Sequence, residues 1–139
     1  MTQEDKELLL KDLCARLPYG VICKTEKGNG HLCSINQTFF GIEYGVNISS
    51  LKRDYFDDIN TDEQVIKPYL LSMSSMTKEE LKEFRACHCV YDLHPDFQPM
   101  MCNIANEHSM FDWLNKHYFD YRGLIEKGLA INATGLNVY

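Results

Sequence analysis

Apolar side chains in the first twenty residues recur at the spacing of one helical face. Leu9, Leu10, Leu13, Cys14 and Leu17 fall at i, i+1, i+4, i+5 and i+8. Glu4, Lys6, Glu7, Lys11 and Asp12 are assigned to the opposite, polar face. Thr2 stands as N-cap with Asp5 as its capping-box partner, and Pro18 drives Leu17 out of the α region. The pattern predicts a helix over residues 3–16. The period then falls to two. Val21–Thr25 and His31–Ile35 flank Glu26-Lys27-Gly28-Asn29-Gly30, a turn of residues that tolerate positive φ, so a hairpin is expected. A third strand is expected at residues 42–46, with Ile42, Tyr44 and Val46 on one face.

Residues 49–65 lose this regularity. Asp54, Asp57, Asp58, Asp62 and Glu63 surround Tyr55, Phe56 and Ile59, which suits a loop with its apolar members turned inward. Lys67-Pro68 is a poor central-strand sequence, because proline brings no N–H to a ladder. Thr77 opens a second helix with a capping box to Glu80, and Met76 and Leu81 take the positions of a hydrophobic staple. Such a cap contributes about 1 kcal/mol. Residues 87–93 alternate again as a fourth strand, and Pro95 and Pro99 break the pattern beyond it. A third helix is expected from Asn103 or Asn106, with Met110, Trp113, Leu114 and His117 on one face. Asp120 then caps a short helical turn that Gly128 ends, before a last strand at Leu129-Ala130-Ile131. The expected architecture is one α+β domain over residues 1–139: an N-terminal helix, an antiparallel β-meander, then two or three helices packed on the sheet.

Composition narrows the partners more than the fold. At 139 residues, with 45% hydrophobic and 24% charged, the chain can bury a core without staples. Its formal net charge of −6 gains nothing from counterion release on nucleic acid and is repelled by anionic membranes. No run approaches the ~20 apolar residues of a membrane span. Six cysteines without an export signal point to reduced thiols and a cytoplasmic setting. Another protein is therefore the expected partner.

Three stretches carry a family resemblance. They are Glu4–Leu13 running into Leu17-Pro18-Tyr19-Gly20-Val21, Lys67-Pro68-Tyr69-Leu70 leading to Ser74-Ser75-Met76-Thr77, and Phe119–Ala130. Together they resemble a family of short proteins from gut Bacteroidales, many in phage-like or mobile regions. The resemblance implies a bacterial cytosolic setting and an accessory role in a mobile element. It carries over no activity and no catalytic residue.

Candidate chemistry is sparse. Cys87 and Cys89, with His94 and with His108 or Cys102, offer thiolate and imidazole ligands of the kind zinc prefers. Their Cys-x-Cys spacing is tighter than the usual Cys-x2-4-Cys, so two small buried side chains on a strand explain them as well. Cys23 and Cys33 would face each other across a five-residue turn as a redox-labile pair or as two buried thiols in contact. The segment holding Asp54, Tyr55, Phe56, Asp57, Asp58, Asp62 and Glu63 does not match a calcium loop. It reads as a solvated loop, or as an acidic and aromatic patch that meets a basic protein surface or imitates the charge of nucleic acid. His117 reads as a boundary histidine, Asp120 as a cap and Arg122 as its surface partner.

No Gly-rich phosphate loop, nucleophile elbow or His-Glu-x-x-His helix is present. The leading expectation is a non-enzymatic protein-interaction module without a cofactor, serving as an accessory or counter-defence factor of a mobile element. Its contact surfaces would be the 54–63 segment and the exposed parts of 91–101, with Tyr91, Phe97, Met100 and Met101. The alternatives are a small thiol- or metal-dependent enzyme using Cys87, Cys89 and nearby histidines, and a homodimer associating through a strand edge or a helix face.

Overall fold

The first helix, α1 (Gln3–Arg16), takes the predicted span. The Thr2 hydroxyl accepts from the Asp5 N–H at 3.1 Å, and the Asp5 carboxylate accepts from the Thr2 N–H at 3.4 Å. These bonds serve backbone donors that a helix start leaves without partners. Leu17 stays in the α region, contrary to expectation, and opens a 3-10 turn over Leu17–Tyr19 that Gly20 closes at φ +61°. That left-handed conformation favours glycine over any residue with a Cβ. In the computed structural model, residues 1–26, 28–37, 44–50, 59–60, 66–87 and 99–139 are described.

The protein is an α+β domain. After α1 come β1 (Ile22–Thr25), β2 (Gly28–Gln37), β3 (Tyr44–Ser50), β4 (Ile59–Asn60) and β5 (Lys67–Ser72). A 3-10 turn over Met73–Ser75 leads to α2 (Lys78–Ala86), α3 (Pro99–Lys116), β6 (Phe119–Asp120) and β7 (Ile131–Asn132). Among the described residues the strands form a sheet ordered β4-β3-β2-β1-β5-β6, with β7 also paired to β5. The first four strands and the β1–β5 pair run antiparallel, whereas β6 and β7 run parallel to β5. No helix among the described residues is long and apolar enough to cross a membrane.

Several boundaries differ from expectation for identifiable reasons. Thr25 pairs directly with Gly28, so Gly28, Asn29 and Gly30 are strand residues opposite Thr25, Lys24 and Cys23. The shorter connection lengthens the ladder and satisfies more backbone groups. β3 runs on to Ser50, past the expected end at residue 46, and β4 pairs Ile59 with Val46 inside the segment expected to be a loop. Cys87 is the C-cap of α2 and not the first residue of a strand. The rest of that expected strand, residues 88–93, lies outside the described residues. Pro99 starts α3 where it was expected to interrupt. The first helical position needs no N–H, and proline already has the right φ there.

Pro68 is the sharpest of these corrections, because β5 is a central strand. The Tyr69 carbonyl is directed towards β1, where it accepts from the Tyr139 hydroxyl that in turn accepts from the Ile22 N–H. Strand residues alternate in direction, so the Pro68 nitrogen points away from β1. On that other edge the β7 pairing begins only at Tyr69. Proline's missing donor therefore falls at a position where the ladder asks for none.

The sheet buries both faces, unequally. On one, Cys23, Leu32, Ile48 and Leu70 pack with Leu9 and Leu13 of α1 and with Leu124 and Leu129. On the other, Ile22 and Tyr69 pack with Ala133, beside Leu71, Ile131 and Val138. Tyr139 fastens this smaller layer. Its hydroxyl accepts from the Ile22 N–H at 3.3 Å and donates to the Tyr69 carbonyl at 2.7 Å, and its ring stacks on Tyr118 at 3.8 Å. Burial pushes the Tyr139 phenol up, which keeps it protonated as a donor. Tyr118 sits at φ +62°, a conformation that costs a side-chain-bearing residue about 1 kcal/mol. The stack, and a 2.8 Å bond from its hydroxyl to the Tyr19 carbonyl, hold it there.

Replacing Tyr139 by Phe keeps the ring and removes the bridge between β1 and β5. Leaving the Ile22 and Tyr69 backbone groups without their partner should cost about 1–3 kcal/mol, read as a lower urea midpoint with an unchanged slope.

Candidate functional site

Charged side chains cluster in the interior. Along α1, Leu9, Asp12, Leu13 and Arg16 are the buried residues, a stripe spaced i, i+3, i+4 and i+7. This face is rotated from the expected one. Asp12, assigned to the polar side, is fully buried, and Cys14, assigned to the apolar side, is exposed. Arg16 is also fully buried. Its Nε donates to Asp12 Oδ2 at 2.8 Å, one helical turn away. Its Nη2 donates to the Phe119 carbonyl at 2.8 Å, and its Nη1 to the Leu114 carbonyl at 3.5 Å.

The position of Leu114 explains that last contact. It lies in the last turn of α3, where carbonyls have no intrahelical partner and the helix dipole is negative. One guanidinium thus satisfies a carboxylate on α1, a helix end on α3 and a strand carbonyl on β6. Arg122 approaches from the other side, with its Nε 3.2 Å from Asp12 Oδ1. The N–H is not aimed at that oxygen, so the contact is an ion pair without a hydrogen bond. Arg122 was expected to pair with Asp120 on the surface and does not. Asp120 accepts from the Leu124 and Ile125 N–H groups at 3.0 and 2.8 Å. The turn it caps ends as anticipated at Gly128, at φ +70°. There Gly128 N–H bonds the Ile125 carbonyl and Leu129 N–H the Leu124 carbonyl, a Schellman closure.

An aromatic face lies over this charged interior. The Tyr121 ring has the Arg122 guanidinium 4.7 Å and the Arg16 guanidinium 5.7 Å from its centroid. Its hydroxyl donates to Asn115 at 3.1 Å and accepts from Arg122 Nη2 at 2.7 Å. Phe111 packs on Tyr121 at 5.1 Å and remains 48% exposed. Trp113 stacks between His117, at 4.0 Å, and Phe119, at 5.7 Å, and meets Phe84 of α2 at 5.6 Å. His117 behaves as a boundary histidine, since its Nδ1 donates to the Trp113 carbonyl at 2.9 Å. Tyr19 donates a short hydrogen bond to Asp112, which raises the Tyr19 phenol above its usual range.

The other sequence candidates do not converge on these residues. Cys23 is buried opposite Gly30, whereas Cys33 is exposed beside the ladder shift between Leu32 and Ser34. The cross-strand pairing of Cys23 with Cys33 is therefore corrected: it assumed a five-residue turn, and the actual register moves the thiols apart. Burial pushes the Cys23 thiol far up, so it is held protonated and poorly nucleophilic. Cys87 is half-buried and donates to the Glu83 carbonyl at 3.5 Å, and His108 is exposed on α3. Cys89 and His94, with the acidic and aromatic residues 54–58, 62 and 63, lie outside the described residues. Among the described residues, no group of three or more His, Cys, Asp or Glu is gathered to hold a metal.

Fold and cluster together define an α+β domain with a buried Asp–Arg core beneath an aromatic and cationic face. The chain matches no family model, no curated protein and no solved structure.

Removing Asp12 leaves buried cations without their counter-charge, so Asp12→Ala should destabilise by about 3–5 kcal/mol in chemical denaturation. The Asp12→Leu/Arg16→Met double variant should lose clearly less than the sum of its single variants, because no charge is stranded. For the thiols, alkylation of the folded protein followed by peptide mass spectrometry should modify Cys33 and spare Cys23. Mild oxidation should yield no peptide linking the two.

Proposed function

We propose that the protein is a non-enzymatic protein-interaction module whose contact surface is the Phe111–Tyr121–Arg122 face. The observation that carries this reading is Phe111, nearly half exposed and packed on a Tyr121 ring that Arg122 covers. Tyrosine and arginine are among the residue types that dominate binding energy at protein interfaces. Rigidity adds to the argument. Tyr121 is held by Asn115, Arg122 and the buried Arg16, so a partner would meet a surface that loses little conformational freedom on binding. The acidic and aromatic segment with Asp54, Tyr55, Phe56, Asp57, Asp58, Asp62 and Glu63 remains part of the proposal as a second contact region, suited to a basic protein surface.

The proposed setting is the bacterial cytoplasm. An accessory or counter-defence role in a mobile element is what the sequence resemblance suggests for such a module. The alternative, a small thiol- or metal-dependent enzyme, rests on Cys87, the half-buried C-cap of α2, and on Cys89, outside the described residues, with nearby histidines.

The test compares tagged wild type with Phe111→Ala as bait in the native host, after circular dichroism and thermal melting establish equal folding. A partner held specifically by wild type should bind Phe111→Ala at least about tenfold more weakly, the effect of losing roughly 1.4 kcal/mol. Absence of a specific partner, or equal capture by both baits, would count against the module.

A further inference from the structure

Lys24 of β1 and Lys67 of β5 are direct cross-strand partners. Residues opposite each other in an antiparallel pair project on the same face with their Cβ atoms about 5 Å apart, and like charges there repel. Yet among the described residues neither ammonium group is joined to a carboxylate by an ion pair. The two lysines also line a groove of about 380 Å³, together with Thr25, Glu26 and Ile131.

By strand alternation Lys24 shares its face with Ile22, and Lys67 shares its face with Tyr69. Ile22 and Tyr69 belong to the smaller apolar cluster, against which Ile131 packs. The groove is therefore the open end of that layer: two cations on the sheet, an apolar wall at Ile131 and a carboxylate at Glu26. The Thr25 hydroxyl donates to the Gly28 carbonyl at 2.9 Å.

We infer that this groove binds a small phosphate monoester, with the phosphate between Lys24 and Lys67 and the organic part against Ile131. Charge decides the class. The two cations of Lys24 and Lys67 outweigh the one carboxylate of Glu26 in the groove, and a phosphate monoester, which carries about −1.5 to −2 near pH 7, gains more from a pair of cations than a monocarboxylate does. The volume lies within the range of about 300–1,000 Å³ that small-molecule sites occupy. Glu26 repels the phosphate and accepts hydrogen bonds from hydroxyl groups, which orients the ligand with its phosphate away from that side chain. The groove is a different surface from the Phe111 face, and neither proposal depends on the other.

Inorganic phosphate is the probe, with acetate and sodium chloride at matched ionic strength as controls. Phosphate should raise the melting temperature of the full chain more than either control. Its amide shifts in two-dimensional NMR should concentrate at residues 24–26, 67 and 131. Lys24→Gln and Lys67→Gln should each weaken the phosphate response at least about tenfold while melting no lower than wild type without phosphate, since each relieves a like-charge contact. Lys24→Arg should retain the response, and Glu26→Gln should strengthen it. An equal effect of acetate or chloride, shifts spread over other surfaces, or a wild-type response in both glutamine variants would overturn the assignment.

Discussion

The guanidinium of Arg16 is the contact on which distant parts of the fold depend. A fully buried cation is costly to remove from water, and it is retained only if its donors and its charge are all answered. Here Asp12 answers the charge, and the carbonyls of Leu114 and Phe119 take further donors. Those carbonyls belong to the end of α3 and to β6, and Phe119 lies 103 residues further along the chain. Satisfying one side chain therefore fixes where the C-terminal region meets the first helix. Arg122 adds a second cation on Asp12, and Tyr121 lies against both guanidinium groups. The exposed Phe111 and the half-buried Tyr121 thus stand on a foundation that is electrostatic below and aromatic above.

β5 organises the other half of the molecule. It pairs with β1, β6 and β7, and it sends Leu70 into the larger apolar cluster and Tyr69 into the smaller one. The peptide between Leu70 and Leu71 serves two neighbours, its carbonyl accepting from Ala133 and its N–H donating to Tyr118. A trans peptide points these groups in opposite directions, so β5 is tied on both edges within one residue. The smaller layer ends where Ile131 gives way to Lys24 and Lys67. The incomplete cover of this face is what leaves a groove with charged walls.

Legibility followed the range of the interaction. The capping boxes at Thr2 and Thr77 and the turn closed by Gly128 were readable because all their partners lie within five residues. The antiparallel meander was readable because alternation needs only neighbours along the strand. The α2 and α3 aromatics followed their helical face, and His117 found its partner one turn away. The hairpin register was missed because Gly28, Asn29 and Gly30 suit a turn and a strand alike, and ladder length decided between them. Pro68 was misjudged because the cost of its missing N–H depends on which edge that nitrogen faces.

Asp12 marks the boundary most clearly. By itself it is a charged residue on an amphipathic helix, and solvent is its usual neighbour. The stripe Leu9, Asp12, Leu13, Arg16 was present in the spacing, as was the i, i+4 pairing of Asp12 with Arg16. Nothing local says that this pair turns inward. That outcome required Arg122 and the carbonyls of Leu114 and Phe119, brought from the far end of the chain to share the charge. The α+β class, the helix caps and the acidic balance are written in the order of residues, since all rest on short-range geometry or simple counting. Which charges are buried, which aromatic rings reach the surface and which lysines face each other is settled only on folding, because desolvation depends on partners that the folded chain assembles.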